Sequence, residues 1–225
     1  NYEVFATKEY YEPRLKKWES LSHRQRTMVP WYENYLRTLL GCIKCNANFL
    51  KDVVSFATSS MQIESVLPSL VDGDMEEKTV SMLTQLCREW SAECEPERKL
   101  LLNRLLPFLA SKFQIPSKVK ILIPGAGTGR LMLDLVKAGF VCEGNEYSYH
   151  MLVMSIYMLN SGLRKNEVTI FPFIHTFSHW KDRENHLRAV KIPDVNIEMS
   201  PSGSGQISMS AGSFVDCYGS NQHTK

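Results

Sequence analysis

The chain has 225 residues, 44% hydrophobic and 22% charged, with 26 basic side chains against 24 acidic. That length suits one domain, or a domain with an appended subdomain, and the apolar fraction excludes wholesale disorder. A net charge of +2 gives no argument for nucleic acid or an anionic membrane as partner, and no apolar run approaches the ~18 residues that span a bilayer.

The residues from Asn1 to Arg14 are polar and aromatic rather than basic and then apolar, so no secretory leader is read there. Arg14–Trp18 and Trp31–Leu40 space their apolar residues by three and four, as helices do, and Pro30 suits a helix start. A further helix is expected over Asn46–Leu67, ended by Pro68, with a loop over Ser69–Glu76 around Asp72-Gly73-Asp74. Two amphipathic helices follow, Glu77–Ser91 and Glu97–Phe113, and Pro107 is expected to kink or restart the second. Trp18, Trp31, Trp90 and Trp180 read as core or interface anchors rather than a ligand cage.

At Val119 the pattern changes. Val119–Ile123 is a short β-branched run, followed at once by Pro124-Gly125-Ala126-Gly127-Thr128-Gly129 and then by a helical stretch, Arg130–Ala138. A second strand is expected over Phe140–Gly144, a buried helix over Tyr149–Asn160, an extended segment over Val168–Ile174, a loop over Pro193–Gln206 and a third strand over Ile207–Gly212. Strand, glycine turn, helix, strand, helix is the opening of a doubly wound parallel sheet. Three strands are fewer than the five to seven or so that such sheets carry, so the expected fold is α/β with an incomplete sheet behind an N-terminal helical region. The expected divisions are 1–115 (helical), 116–218 (first half of the α/β domain) and 219–225 (a divergent tail).

The six cysteines, Cys42, Cys45, Cys87, Cys94, Cys142 and Cys217, are scattered through mostly apolar stretches. That pattern fits reduced thiols in the cytoplasm, with the nucleus open as a second location. Cys42-Ile-Lys-Cys45 has no second Cys/His pair at ligand spacing, and His175, His179 and His186 have no shared helical face, so no metal site is read.

The glycine turn has G-x-G-x-G spacing, Gly125, Gly127 and Gly129, with Arg130 where a dinucleotide loop carries its third glycine. This favours a loop that packs on S-adenosylmethionine over one that binds a pyrophosphate. Glu146, 17 residues after Gly129, falls at the end of the second strand, where a carboxylate can accept from both ribose hydroxyls.

Ile121–Leu131 and Gly144–Ser148 resemble the carnosine N-methyltransferase family. So do Tyr11–Pro30, Arg88-Glu89-Trp90-Ser91 with Glu97-Arg98, Phe171–Ser178 and Pro193-Asp194-Val195. The resemblance covers about Tyr10–Tyr218 and implies a Rossmann-like methyltransferase fold, with S-adenosylmethionine as cofactor and carnosine, a histidine-containing dipeptide, as acceptor. By position it implies that Gly125 contacts the methionine end of the cofactor, Glu146 the ribose, and Gln85 and Arg88 the carboxylate end. Gln85 and Arg88, three apart on a helix, share a face; an ordinary polar face, with Arg88 paired to Glu89 or Glu93, is the alternative. Ala211-Gly212-Ser213-Phe214 resembles the family's adenine-bracketing Ala-Gly-Asp-Phe, with Phe214 kept and Ser213 in place of the acid. The family's Asp-Thr-Ala-His-Asn segment and later carnosine-holding His and Tyr residues have no counterpart before Lys225, so no catalytic residue is assigned. Two other readings stand beside this one: methylation of another histidine-containing peptide or protein, and a non-catalytic product acting as a partner. A homodimer through the helical region is compatible with the sequence.

Overall fold

The computed structural model describes residues 1–61, 75–197 and 206–219. The expected helix end at Pro68, the loop around Asp72-Gly73-Asp74, most of the Pro193–Gln206 loop and the tail from Ser220 lie outside the described residues.

The N-terminal region is helical. α1 (Tyr2–Ala6) passes through a π turn into α2 (Glu12–Glu19), and α3 (His23–Met28) starts at a reciprocal capping box between Ser22 and Gln25. The two helices expected over 31–67 are one, α4 (Tyr32–Met61). Its 30 residues make about 45 Å of helix. Gly41 does not break it, because one stripe of buried side chains runs through the whole length: Leu36, Leu39, Ile43, Leu50, Val53 and Ala57. A single interior glycine costs only about 1 kcal/mol, which burial of this stripe outweighs. α5 (Met75–Trp90) and α6 (Glu95–Lys112) follow. Pro107 lies inside α6, which does not restart there; Asn103, four residues earlier, is exposed, so its freed carbonyl is open to water.

The sheet has three parallel strands, β1 (Lys120–Pro124), β2 (Val141–Glu146) and β5 (Ile207–Ala211), in the order β1-β2-β5. α7 (Arg130–Lys137) links β1 to β2, and α8 (Tyr149–Asn160) follows β2. The extended segment expected over Val168–Ile174 is shorter, and it leaves this sheet. β3 (Val168–Ile170) pairs antiparallel with β4 (Val190–Ile192) as a separate ribbon. The reason lies in Asn46, a polar residue fully buried within the α4 stripe. Its Oδ1 accepts from the Phe171 N–H at 2.8 Å and its Nδ2 donates to the Phe171 carbonyl at 2.9 Å. Both backbone groups of Phe171 are thereby taken by a helix instead of a strand, and Pro172 has no N–H to continue a ladder. Two short helices complete the order, α9 (Arg183–His186) and α10 (Phe214–Tyr218). Among the described residues no helix is long and apolar enough to cross a membrane.

The helical region and the α/β part share one apolar core. Leu50 and Val53 of α4 and Leu83, Leu86 and Trp90 of α5 pack with Met154 and Met158 of α8 and with Ile170, Val190 and Ile192 of the ribbon. A second cluster sets Leu109 of α6 against Met132, Leu135, Phe140 and Cys142. Ion pairing reinforces the joint. Asp194, 8% exposed, accepts from Arg130 on one carboxylate oxygen and from Arg98 on the other, and its own N–H donates to the Trp90 carbonyl at 2.8 Å. Arg130 also donates through Nε to both oxygens of Asp134 at 3.1 Å. Burial opposes the Arg130 charge, but Asp194 and Asp134 more than offset it, so the guanidinium is held above its ordinary value.

Two stability predictions follow from this packing. Removing the carboxylate in Asp194→Ala leaves the buried Arg130 and the half-buried Arg98 without their shared partner and is expected to cost about 3–5 kcal/mol in urea unfolding. Glu97→Ala, which removes an exposed ion pair, should leave the unfolding midpoint close to wild type; equal effects of the two would refute the assignment. The second concerns His175, whose ring lies edge-on to Tyr2 and Tyr10 with Nε2 2.7 Å from the Tyr2 hydroxyl. Burial pushes its pKa down to about 4. The folded state therefore holds it neutral while the unfolded chain takes up a proton below about pH 6.5. Stability present above that pH is expected to fall between about 6.5 and 4, and His175→Phe should flatten that part of the profile. An unchanged slope in the variant would show that other groups set it.

Candidate functional site

The C-terminal ends of the three parallel strands come together, and the sequence-predicted loop lies there. Between β1 and α7 the backbone passes through three left-handed glycines, Gly125, Gly127 and Gly129, at φ of +65°, +58° and +87°. Their surroundings differ. A Cβ on Gly129 would strike the Leu159 side chain at 2.7 Å, so that glycine sets how closely α7 packs on α8. A Cβ on Gly127 would meet Glu89 Oε1 at 2.8 Å. At Gly125 a Cβ would find no atom within 4 Å, so the bare backbone there borders open space. Across the loop, Gly144 of β2 is crowded: a Cβ would lie 2.8 Å from that of Ala126 and 2.6 Å from Met132 Sδ.

Glu146, the last residue of β2, reaches across this turn. Its Oε2 accepts from the Gly127 N–H at 2.9 Å and its Oε1 from the Ser148 N–H at 2.8 Å. Each oxygen keeps one lone pair beyond those bonds. The Glu146 carbonyl accepts from the Gly212 N–H at 3.0 Å, which draws the end of β5 alongside. Asn145, only 2% exposed, fastens the same junction by donating to the Gly212 carbonyl at 3.1 Å. Ser213 and Phe214 follow at the start of α10. Phe214 is 41% exposed, with its ring 5.1 Å from that of Tyr218. Glycine loop, Glu146 and the Gly212–Phe214 corner thus form one edge.

The fourth wall comes from α5. Gln85 donates through Nε2 to Glu89 Oε1 at 2.5 Å, and the Thr128 hydroxyl donates to Glu89 Oε2. Thr128 in turn accepts from the Trp90 indole N–H at 2.7 Å. Arg130 adds a bond to the Glu89 carbonyl at 3.2 Å. Gln85 is thus brought to the loop through Glu89. Arg88 is not: its exposed guanidinium pairs with Glu97 at 2.5 Å, neither with Glu89 nor with Glu93. Residues 85 and 89 are four apart and stack on one face, whereas residue 88 is rotated toward α6. Glu89, Trp90, Thr128 and Asn145 were given no site role from the sequence. The signal for the first two lay in the Arg-Glu-Trp-Ser stretch itself, whose glutamate, not its arginine, faces the glycines.

The histidines do not converge. His175 meets Tyr2, and His186 Nε2 lies 3.1 Å from the Ile174 carbonyl. Cys42 and Cys45 lie in the interior of α4, where Cys42 is buried and Cys45 Sγ donates to the Thr169 carbonyl at 3.4 Å.

Residues 66–225 match the family described as carnosine N-methyltransferase. The carnosine N-methyltransferase of Schizosaccharomyces pombe is 38% identical over 156 residues, which is 68% of this chain and 42% of the relative. That of Mus musculus is 31% identical over 215 residues, 90% of this chain and 53% of the relative. The Drosophila melanogaster protein "Carnosine N-methyltransferase unmet" is 29% identical over 247 residues, 93% of this chain and 54% of the relative. The chain therefore spans about half the length of the curated relatives it matches. With the family match running over most of its residues, the chain belongs to the carnosine N-methyltransferase family.

Proposed function

We propose that the edge formed by the glycine loop, Glu146 and Phe214 is a binding site for S-adenosylmethionine, and that the protein transfers a methyl group to an imidazole nitrogen of carnosine. The observation that carries the reading is the pairing of Gly125, whose face is open, with Glu146, whose two oxygens keep acceptor capacity on the same edge. The relatives' names supply the acceptor. On this reading the parallel sheet is the first half of a Rossmann-like domain over 116–218, behind a helical region over 1–115 and ahead of a short tail over 219–225. Six free cysteines support a reducing compartment, the cytoplasm or nucleus.

The residues divide the work by chemistry. At Gly125 the turn lets a ligand approach bare backbone, and the N-terminus of α7 behind it presents unpaired N–H groups. Glu146 accepts hydroxyl donors, and Phe214 offers a ring face to a flat base. Gln85 and Arg88 serve the carboxylate end. Arg88 points toward α6 and pairs there with Glu97, so serving that end would require this exposed, weakly held pair to open and the side chain to swing across. Glu89 acts as a positioning residue: through Thr128 and Gln85 it fixes the glycine turn at the distance seen. Bound at this edge, the sulfonium cofactor would supply an already activated methyl group. A neutral imidazole, abundant at pH 7, needs orientation more than deprotonation to accept it.

Two measurements test the site. In calorimetric titration with S-adenosylhomocysteine, saturable binding is expected, and Glu146→Gln, which keeps the shape of the side chain, should weaken it about ten- to a hundredfold. Equal affinity in the variant would remove Glu146 from the site. Ser213→Asp, which adds a charged acceptor beside Phe214, should tighten binding by several-fold to about tenfold; no gain would place Ser213 away from the base.

A further inference from the structure

Apart from the cofactor edge, the turn between α5 and α6 gathers a set of side chains that the proposed reaction does not use. Ser91 folds this turn back on the helix: its hydroxyl donates to the Cys87 carbonyl at 2.5 Å and accepts from the Cys94 N–H at 3.4 Å. Residues seven apart are thereby brought together, with Cys87 Sγ 3.9 Å from Cys94 Sγ. Glu93 closes the group, its Oε1 3.0 Å from Cys87 Sγ. All three ligand atoms lie within 4.8 Å of one another, and no other such trio of Cys, His, Asp or Glu occurs among the described residues.

We propose that Cys87, Glu93 and Cys94 form a binding site for a thiophilic divalent cation of the zinc type. The sulfur separation is the first argument. Two thiolates at the usual zinc–sulfur distance of about 2.3 Å in a tetrahedron stand about 3.8 Å apart, close to the observed 3.9 Å. The direction of the Cys87 thiol is the second. Its proton points at Glu93 Oε1, so a cation between sulfur and oxygen takes the place that proton occupies. Charge is the third. Two thiolates and one carboxylate leave a zinc site at −1, and Arg188 donates at 3.0 Å to Glu93 Oε1, the oxygen that Cys87 also meets, which brings the assembly to neutrality and would leave that oxygen shared between arginine and cation. The burial pattern is also that of an open site: Cys87 is buried, Cys94 half-buried and Glu93 exposed, so the fourth position faces water. Binding releases one proton from each thiol and involves no change of oxidation state. It would tie the end of α5, which carries Glu89 and Trp90, to the segment that carries Arg188.

The test uses the full 225-residue chain, reduced and freed of metal. Titration with cobalt(II) is expected to give a thiolate-to-metal charge-transfer band and tetrahedral d–d absorption with a stoichiometry near one, both bleached by zinc. Calorimetry with zinc in two buffers of different ionisation heat should report about two protons released. Cys94→Ser, at the half-buried position, should abolish the charge-transfer band or weaken zinc binding at least a hundredfold, and Glu93→Gln about ten- to a hundredfold. Cys45→Ser and Cys217→Ser should leave both signals intact. No cobalt spectrum in the folded, reduced chain would overturn the proposal. So would a spectrum that survives Cys94→Ser and disappears with Cys45→Ser, or recovery of Cys87 and Cys94 as a disulfide that the metal neither prevents nor competes with.

Discussion

Asp194 stands between two arginines in the interior, and the rest of the molecule is arranged around that contact. Arg130 is the first residue of the helix after the glycine loop, Arg98 belongs to α6, and the aspartate's own N–H is bound to the end of α5. Three helices thus meet at one residue, two of them at its carboxylate and the third at its backbone N–H. A buried ion pair contributes little net stability against a well-packed apolar substitute, but losing one member strands the other charge. The contact therefore works as a register pin: helical region and sheet fit together at one offset, the one that neutralises both arginines.

From that pin the geometry of the loop follows. With α5 held against α7, the Trp90 indole reaches Thr128, and Glu89 lies so near Gly127 that a side chain there would have to displace its carboxylate. The third glycine answers to α8 through Leu159. Of these three glycines, Gly125 alone faces space that no protein atom claims. The glycine spacing reads in the sequence as one motif with one purpose, whereas in the structure two of its members accommodate the protein's own packing. What remains for a ligand is one bare stretch of backbone and the spare lone pairs of Glu146.

Local grammar made much of this legible. The β-branched run at Val119–Ile123, the glycine spacing and the acid at the end of the next strand are short-range signals, and they placed β1, the turn, α7, β2 and Glu146 correctly. The third strand, expected over Ile207–Gly212, was also visible and spans Ile207–Ala211. What sequence reasoning missed depends on partners far along the chain. Asn46 sits at an apolar-stripe position, which is itself a sign of a buried polar bond, but nothing nearby names Phe171, 125 residues away, as the partner. Without that clamp the stretch after Val168 reads as a longer strand than it is. Likewise Arg88 and Glu89 are neighbours of opposite charge, and only the facing of α5 decides which of them meets the loop. The two helices expected over Trp31–Leu40 and Asn46–Leu67 join for a related reason: the stripe of buried side chains runs on through the residues between them.

The Asn46–Phe171 clamp also bears on how the chain is made. During synthesis α4 emerges long before its partner, and at about 5–20 residues per second the ribosome needs about 6–25 s to deliver residues 47–171. Through that interval the Asn46 amide, in the middle of the apolar stripe of α4, has the Tyr2 hydroxyl of α1 as its earlier-made partner, while the backbone groups of Phe171 are still to come. The amide makes premature association of that stripe with another apolar surface costly, since an apolar partner leaves its oxygen without a donor. A single polar group in the core thus guards the nascent helix until the backbone it was shaped for arrives.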